Sequence, residues 1–277
     1  MRLRSILTAR FPDIAPARLP GGFDRVGDIA VVSIVPELEP LEAAIGTIIL
    51  EAHPAVRVAA RRDGLHHGPH RTRPLRVISG EQRLTTVHRE NGVLLHLDLA
   101  QMYFSGRLAH ERARIAALVQ PGERVAVLGS GAGPFPLIIG RHSQAAEALG
   151  IEINPAAHAC ALRNLAANRA VRSARFLVGE AGRVLDELGC SFDRVLIVLP
   201  YGGEALLIPA IRSLRPGGVL HFYDMQPQGC HQATPAKIET ACRQTGRQWR
   251  MLGESVCGRC GPAIHRLCLD AAIEPGR

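Results

Sequence analysis

The chain has 277 residues, 47% apolar and 21% charged, with 33 Lys plus Arg against 25 Asp plus Glu for a formal net charge of +8. That length and balance supply a folded core in one large or two modest domains and exclude a disordered chain. No apolar run reaches the roughly eighteen residues of a membrane helix, and the N-terminus lacks the apolar stretch of a secretory signal, so a cytoplasmic chain with no membrane partner is expected.

In chain order, residues 1–100 hold short β-type runs at Ile29–Val35, Val56–Ala60, Leu75–Ile78 and Val93–Leu97. They also hold one stretch with helical apolar spacing, Leu41–Ala52, ended by His53-Pro54. Several strands with one helix predict a small α+β domain. Residues 101–122, with a helix over 107–116, read as a linker. From Glu123 strands and helices alternate. The strands are Val125–Leu128, Ala148–Ile153, Arg175–Val178, Arg194–Leu199 and Val219–Asp224; the helices are Phe135–His142, Pro155–Asn168, Gly203–Leu214 and Ala236–Thr245. Two last strands, Trp249–Val256 and Ile264–Ala271, flank a Cys-Gly-Arg-Cys-Gly-Pro turn and read as a hairpin. Residues 123–277 are therefore predicted to form a doubly wound, Rossmann-like parallel sheet closed by an antiparallel C-terminal hairpin.

The chemistry starts where the first of these strands runs into Gly129, Gly131 and Gly133 and then into a helix at Phe135. Glycines let a backbone approach a ligand, and a helix N-terminus offers free N–H groups. The second strand ends in Glu152-Ile153-Asn154, where an acid commonly holds ribose hydroxyls. Two cofactors compete for this pattern, a dinucleotide and S-adenosylmethionine (SAM). The turn has G-x-G-x-G form without the G-x-G-x-x-G spacing, and the sheet ends in a hairpin; both favour SAM. Glu180 follows the third strand, either reaching an adenine amine or standing as an ordinary loop acid.

Ordered motifs then resemble a known family. Phe23-Asp-Arg-Val-Gly27-Asp28, Glu37-Leu38, Ala44-Ile-Gly46, His53-Pro54, Arg71-Thr-Arg73, His88-Arg-Glu-Asn-Gly92 and Leu97-Asp98 recur in order. They resemble the archaeal and eukaryotic tRNA (guanine-N1)-methyltransferases that modify the guanosine 3′ of the anticodon, relatives of the wybutosine aminocarboxypropyl transferases. Tyr103-Phe-Ser-Gly-Arg107-Leu-Ala-His-Glu111-Arg112 is similar to that family's Tyr-Phe-Ser-Pro-Arg-Leu-x-x-Glu-Arg signature. Gly131–Phe135, Glu152–Pro155 and Gly217–Tyr223 continue the likeness across residues 20–272.

The resemblance implies a class I SAM methyltransferase domain behind a small α+β domain, with tRNA as partner. It implies Glu111 as the base for the guanine N1 proton, the other reading being a helix salt bridge with a neighbouring Arg. Arg107 and Arg71 or Arg73 would orient the guanine, since an arginine fork donates in the plane of an acceptor oxygen. Tyr103, Arg112, Gly129, Gly131, Gly133, Phe135, Glu152, Ile153, Asn154, Glu180, Leu199 and Pro200 are expected around SAM. Eight arginines and two acids between Arg57 and Arg89, with His66, His67, His70 and His88, form the expected RNA-facing strip; the alternative is a solvated basic loop. All basic residues but Lys237 are arginine, a bias that also follows from a GC-rich genome, so the total charge specifies no partner.

Three positions depart from the family pattern. Val127 stands where an acid usually ends the first strand, Val198 where an Asn helps hold guanine, and Gly106 where the signature has Pro. The family's N-terminal tRNA-elbow module is also expected to be absent, because Phe23 lies near the start. Rival readings are therefore aminocarboxypropyl transfer, methylation of a small molecule, or a non-catalytic SAM- or RNA-binding homologue. Seven cysteines read as reduced thiols. Cys257 and Cys260 have zinc-knuckle spacing, but His265 and Cys268 fall on opposite faces of one strand, so no metal is expected. The expected state is a monomer.

Overall fold

The computed structural model describes residues 3–64, 73–189, 191–260 and 263–276. They divide into two compact units, residues 1–90 with 94–107 and residues 91–93 with 108–277.

In the first unit, α1 (Leu3–Arg10) precedes β1 (Phe23–Val26) and β2 (Ile29–Val32), an antiparallel pair. Gly27 turns between them at φ +57°, where a Cβ would lie 2.1 Å from the Thr86 hydroxyl. A 3-10 turn at Pro36–Leu41 leads into α2 (Glu42–Ala52), which crosses to β3 (Val58–Arg62), parallel to β2. Parallel neighbours need such a crossover. β4 (Leu75–Gly80) pairs antiparallel with β3, giving the order β1-β2-β3-β4. Ile45, Ile49, Ala30, Val32, Val56 and Ala59 form the core between α2 and this sheet, closed by Leu3 and Leu7 of α1. β5 (Thr85–Glu90) and β6 (Val93–Asp98) pair in a separate two-stranded sheet. Asn91 and Gly92 turn between them with φ of +46° and +70°, the backbone that an Asn-Gly hairpin turn requires.

The second unit begins with α3 (Ala109–Leu118), so the expected connecting helix clusters with the larger domain. There follow β7 (Arg124–Leu128), α4 (Pro134–His142), β8 (Glu147–Glu152), α5 (Pro155–Ala167), β9 (Ala174–Val178), α6 (Ala181–Leu188) and β10 (Phe192–Ile197). A 3-10 turn at Gly203–Leu206 opens α7 (Leu207–Ser213), and β11 (Leu214–Pro227), α8 (Ala233–Gln244), β12 (Gln248–Arg259) and β13 (Ile264–Glu274) complete the unit. One seven-stranded sheet has the order β12-β13-β11-β10-β7-β8-β9. β7 to β11 run parallel, and β13 lies antiparallel between β11 and β12. This is the expected Rossmann-like fold with an antiparallel C-terminal hairpin. The chain leaves β7 toward one sheet edge and returns at β10 toward the other, which places a ligand crevice beyond the C-terminal ends of these strands. The central strands are buried on both faces: Val125 to Leu128, Ile151, Val195 to Ile197 and Leu269 are at most 2% exposed.

Several boundaries differ from the sequence expectation for identifiable reasons. α6 follows Glu180, whose carboxylate caps it in place of the usual short polar residue, and Gly182 sits in its first turn. α8 starts at Ala233, ahead of Pro235, because a first helical turn has no N–H partner to lose. β11 and β13 extend to fourteen and eleven residues since they pair over ten positions, from Gly218↔Ile273 to Pro227↔Ile264. No helix among the described residues is long and apolar enough to cross a membrane.

Ile197 is fully buried where β10 meets both β7 and β11. Ile197→Ala should lower unfolding free energy by about 2–5 kcal/mol in urea denaturation followed by circular dichroism. A loss below about 1 kcal/mol would contradict this packing.

Candidate active site

The glycine turn after β7 is anchored from below and open above. The Gly129 and Ser130 amides donate to Ile151 O at 2.9 and 3.0 Å, tying the turn to β8. Gly133, at φ +84°, could carry no Cβ without meeting the Phe176 ring at 2.5 Å. Gly131, at φ +57°, has nothing within 4 Å of where a Cβ would stand. The turn thus presents bare backbone to the crevice, and α4 begins immediately after it.

Glu152, 8% exposed, organises this cradle. Its Oε2 accepts from the Gly131 amide at 2.7 Å and its Oε1 from the Asn154 amide at 2.8 Å. Asn154 in turn caps α5 by accepting from Ala156 N at 3.0 Å. Asn164 reaches from α5 to donate to Ala132 O at 2.9 Å, closing the turn from behind. At the ends of β8 and β9, Ile153 and Val178 are 44% and 50% exposed, apolar surface of the kind a planar base covers. Leu199 and Pro200 follow β10, and the Leu199 side chain packs against Gly129. These features fit the adenosyl portion of SAM: bare backbone, a strand-end carboxylate and apolar walls. Glu180 instead spends both oxygens on the Gly182 and Arg183 amides, at 2.9 and 2.8 Å, as the cap of α6. Val127 is fully buried in the sheet and Val198 is half-buried, so neither offers a polar atom to a ligand.

Beside the cradle, Phe135 is 4% exposed, and its ring lies 5.9 Å from that of Tyr223 and 5.8 Å beneath the Arg112 guanidinium. Glu111, in the first turn of α3, is only 1% exposed. Its carboxylate accepts from Arg114 Nε and Nη2, both at 2.8 Å, and from the Tyr223 hydroxyl at 2.7 Å. Glu111 therefore makes a helix salt bridge with a neighbouring Arg, and Arg114 is its partner. Arg114 Nη1 also reaches Asp270 Oδ2 at 2.6 Å, Asp270 Oδ1 meets His221 Nδ1 at 2.6 Å, and Arg194 Nη1 meets His221 Nε2 at 2.6 Å. A guanidinium only donates, so His221 Nε2 accepts and its Nδ1–H donates to Asp270. Burial pushes the His221 imidazole below its ordinary value, against the pull of Asp270. Burial works to raise Asp270, but hydrogen bonds from His221 and Arg114 outweigh it and hold the carboxyl well below the usual range. Burial, then nearby Cys268 and Glu111, hold the Tyr223 phenol well above its ordinary value.

Arg73, Tyr103 and Arg107 belong to the first unit. Arg107 has an exposed side chain paired with Asp24, which also pairs with Arg62. Arg73 donates to Gly64 O at 2.8 Å, and burial followed by the charge of Arg62 lowers its guanidinium from the ordinary value. Tyr103 is 45% exposed. Arg71 lies outside the described residues, as do His66, His67 and His70. Of the arginine strip, Arg61, Arg62, Arg76 and Arg83 are engaged by acids of their own unit. Arg57 and Arg89 are exposed, with no ion pair to another described residue.

The cysteine turn builds no converging ligand set among the described residues. Cys260 Sγ lies 3.7 Å from Arg266 Nη2, and His265 Nδ1 lies 3.3 Å from His231 Nε2. Among the described residues, the one His, Cys and carboxylate group close enough to hold a metal is His221, Cys268 and Asp270. Both His221 nitrogens in it are already bonded, to Asp270 and Arg194.

The parts played by Arg114, Asp270 and Tyr223 emerge only from the structure. Only the three-residue spacing of Glu111 and Arg114 on one helix was a readable signal. Glu152→Ala should leave the fold intact, lower the thermal midpoint by a few degrees and weaken SAM binding by at least about tenfold in calorimetric titration. Unaltered affinity would remove Glu152 from the site.

The chain is similar to known proteins along most of its length. Residues 86–250 match the TRM5/TYW2 methyltransferase domain, and residues 3–83 match the TYW2 N-terminal domain. The chain is 32% identical over 256 residues to tRNA (guanine(37)-N(1))-methyltransferase Trm5b of Pyrococcus abyssi, covering 92% of this chain and 76% of that protein. It is 25% identical over 274 residues to tRNA(Phe) (4-demethylwyosine(37)-C(7)) aminocarboxypropyltransferase of Pyrococcus horikoshii, covering 98% of this chain and 96% of that one. The crystal structure of Pyrococcus abyssi Trm5b superposes with a TM-score of 0.85 at 31% identity, over 97% of this chain and 78% of that one. A complex of aTrm5 with tRNALeu superposes at 0.86 and 26% identity, over 98% and 78%. With a domain match over more than half its length, the chain belongs to the TRM5/TYW2 family of SAM-dependent methyltransferases.

Proposed function

We propose that the chain methylates tRNA at N1 of the guanine beside the anticodon, as a cytoplasmic monomer. The observation that carries this reading is the place of Phe135. Two residues beyond Gly133, it touches Arg112 and Tyr223, so the carboxylate held by Tyr223 sits next to the cofactor cradle. Its relatives named for this reaction, Trm5b of Pyrococcus abyssi among them, support the substrate. Six described cysteines are free thiols, in keeping with a reducing compartment.

Bound SAM supplies a methyl group on a cationic sulfur. Gly129, Gly131 and Gly133 would hold it, with Glu152 toward the ribose and Ile153 and Val178 flanking the adenine. Neutral N1 of guanine carries a proton, and its N–H electron pair becomes the bond to the incoming methyl. Glu111 takes that proton. The roles of orienting the guanine by in-plane donation are proposed for Arg107 and for Arg71 or Arg73, and Arg112 belongs to the cofactor side. Exposed Arg57 and Arg89 meet the phosphate backbone.

Aminocarboxypropyl transfer is the second reading. It is favoured by Val198, which leaves the end of β10 without an amide for guanine, and by the match of residues 3–83 to the TYW2 N-terminal domain.

Incubation with SAM and tRNA, followed by nucleoside mass spectrometry, should give 1-methylguanosine. A product carrying the aminocarboxypropyl mass would install the second reading, and no product would overturn both. Glu111→Gln should lower kcat by about 10²–10⁴ with SAM affinity held; a wild-type rate would remove the base role. Arg57→Glu with Arg89→Glu should weaken tRNA binding by about tenfold or more and flatten its salt dependence, against an unchanged slope if the strip faces only solvent.

A further inference from the structure

The two oxygens of Glu111 are not equivalent. Oε1 accepts from Tyr223 at 2.7 Å and from Arg114 Nη2 at 2.8 Å, which fills both of its lone pairs. Oε2 accepts from one strong donor only, Arg114 Nε at 2.8 Å, so its second lone pair meets no donor stronger than a thiol. The Cys257 thiol is within hydrogen-bond reach of Glu111 but is a weak donor and also faces Ser255 O at 3.4 Å.

We propose that Tyr223 is a positioning residue for methyl transfer: together with Arg114 it occupies Oε1 and leaves Oε2 as the atom that takes the guanine N1 proton. This rests on the base role proposed for Glu111. The step balances within that reading: the cofactor's methyl–sulfur bond would break and leave its pair on sulfur, which departs as a neutral thioether, while the N1–H bond breaks, its electron pair forms the N–C bond, and the proton passes to Oε2. Tyr223 keeps its own proton throughout, since burial holds the phenol well above its ordinary value.

The fork behind Glu111 cannot swing to free Oε1. Arg114 is pinned by Asp270, which is pinned by His221. Arg194 fixes His221 and is itself held by Glu123 at 2.8 and 2.9 Å and by Leu118 O at 2.9 Å. Tyr223 and His221 both come from β11, two residues apart and on one face of the strand. One strand therefore supplies a donor to Glu111 directly and a support for Arg114 indirectly.

The test compares Tyr223→Phe in the wild-type and Glu111→Gln backgrounds, using the full chain, SAM and tRNA. In the wild-type background kcat should fall between about 10- and 100-fold, with SAM affinity and the KM for tRNA unchanged. In the Glu111→Gln background Tyr223→Phe should cost nothing further, because the carboxylate it positions is gone. Should Tyr223→Phe fail to fold, 4-fluorophenylalanine at 223 fills the place of the hydroxyl without donating, and the same split is expected. Unchanged kcat on loss of the donor, with Glu111→Gln inactive, would overturn the positioning role and leave the base. An equal loss in both backgrounds, or a rise in KM alone, would also overturn it. Full activity of Glu111→Gln would overturn the base reading itself.

Discussion

One guanidinium sets the geometry of the second unit. Arg114 holds Glu111 of its own helix and Asp270 of β13, three residues and 156 residues away in the chain. Removing such charges from water costs several kcal/mol per ion, and only good geometry with every donor used repays it. Here every nitrogen of Arg114 is bonded, with a fork on each carboxylate. The pair fixes the first turn of α3 against the sheet, and it fixes which atoms of Glu111 face their partners. Removing Arg114 would leave the buried Glu111 carboxylate without an opposite charge, the costlier half of the exchange.

The cofactor turn depends on a different economy. Parallel strands buried on both faces end together at the crevice, and the chain has to leave each of them by a short turn. Glycine at 133 lets the turn pass under Phe176, and glycine at 131 leaves its upper side bare. Glu152 then does two things with one carboxylate, fastening Gly131 and Asn154 while standing at the strand end. The same acid that fits a ribose is thus part of the backbone scaffold of the cradle. That dual use explains why it lies 8% exposed in place of projecting into solvent.

The alternation of strands and helices after Glu123 was legible because each element is long enough to show its period, and the glycine turn punctuates it. The first unit was less so: β2 falls in the expected run Ile29–Val35, but β1 has only four residues, too few for a period, and the Asn-Gly turn marks β5 only once its partner is known. The acids show the limits of motif reading. Glu180 was legible as a residue after a strand, but its capping bonds depend on a helix that the sequence hid. Glu111 was singled out by its signature, whereas Asp270, His221 and Arg194 sit far apart in the chain and carry no local pattern. Their meeting is a product of sheet register, His221↔Asp270 across β11 and β13 and Leu196↔His221 across β10 and β11, which leaves no trace in spacing.

The proposed chemistry turns on Glu111, oriented by Arg114 and Tyr223, receiving the proton from a guanine N1 presented beside the cofactor turn. The most direct measurement is a crystal structure of the chain with a SAM analogue lacking a transferable methyl group and with a guanine-containing tRNA. Guanine N1 is expected within about 2.6–3.2 Å of Glu111 Oε2 while Tyr223 stays on Oε1. A guanine whose N1 faces another group, with the Glu111 carboxylate out of its reach, would contradict it.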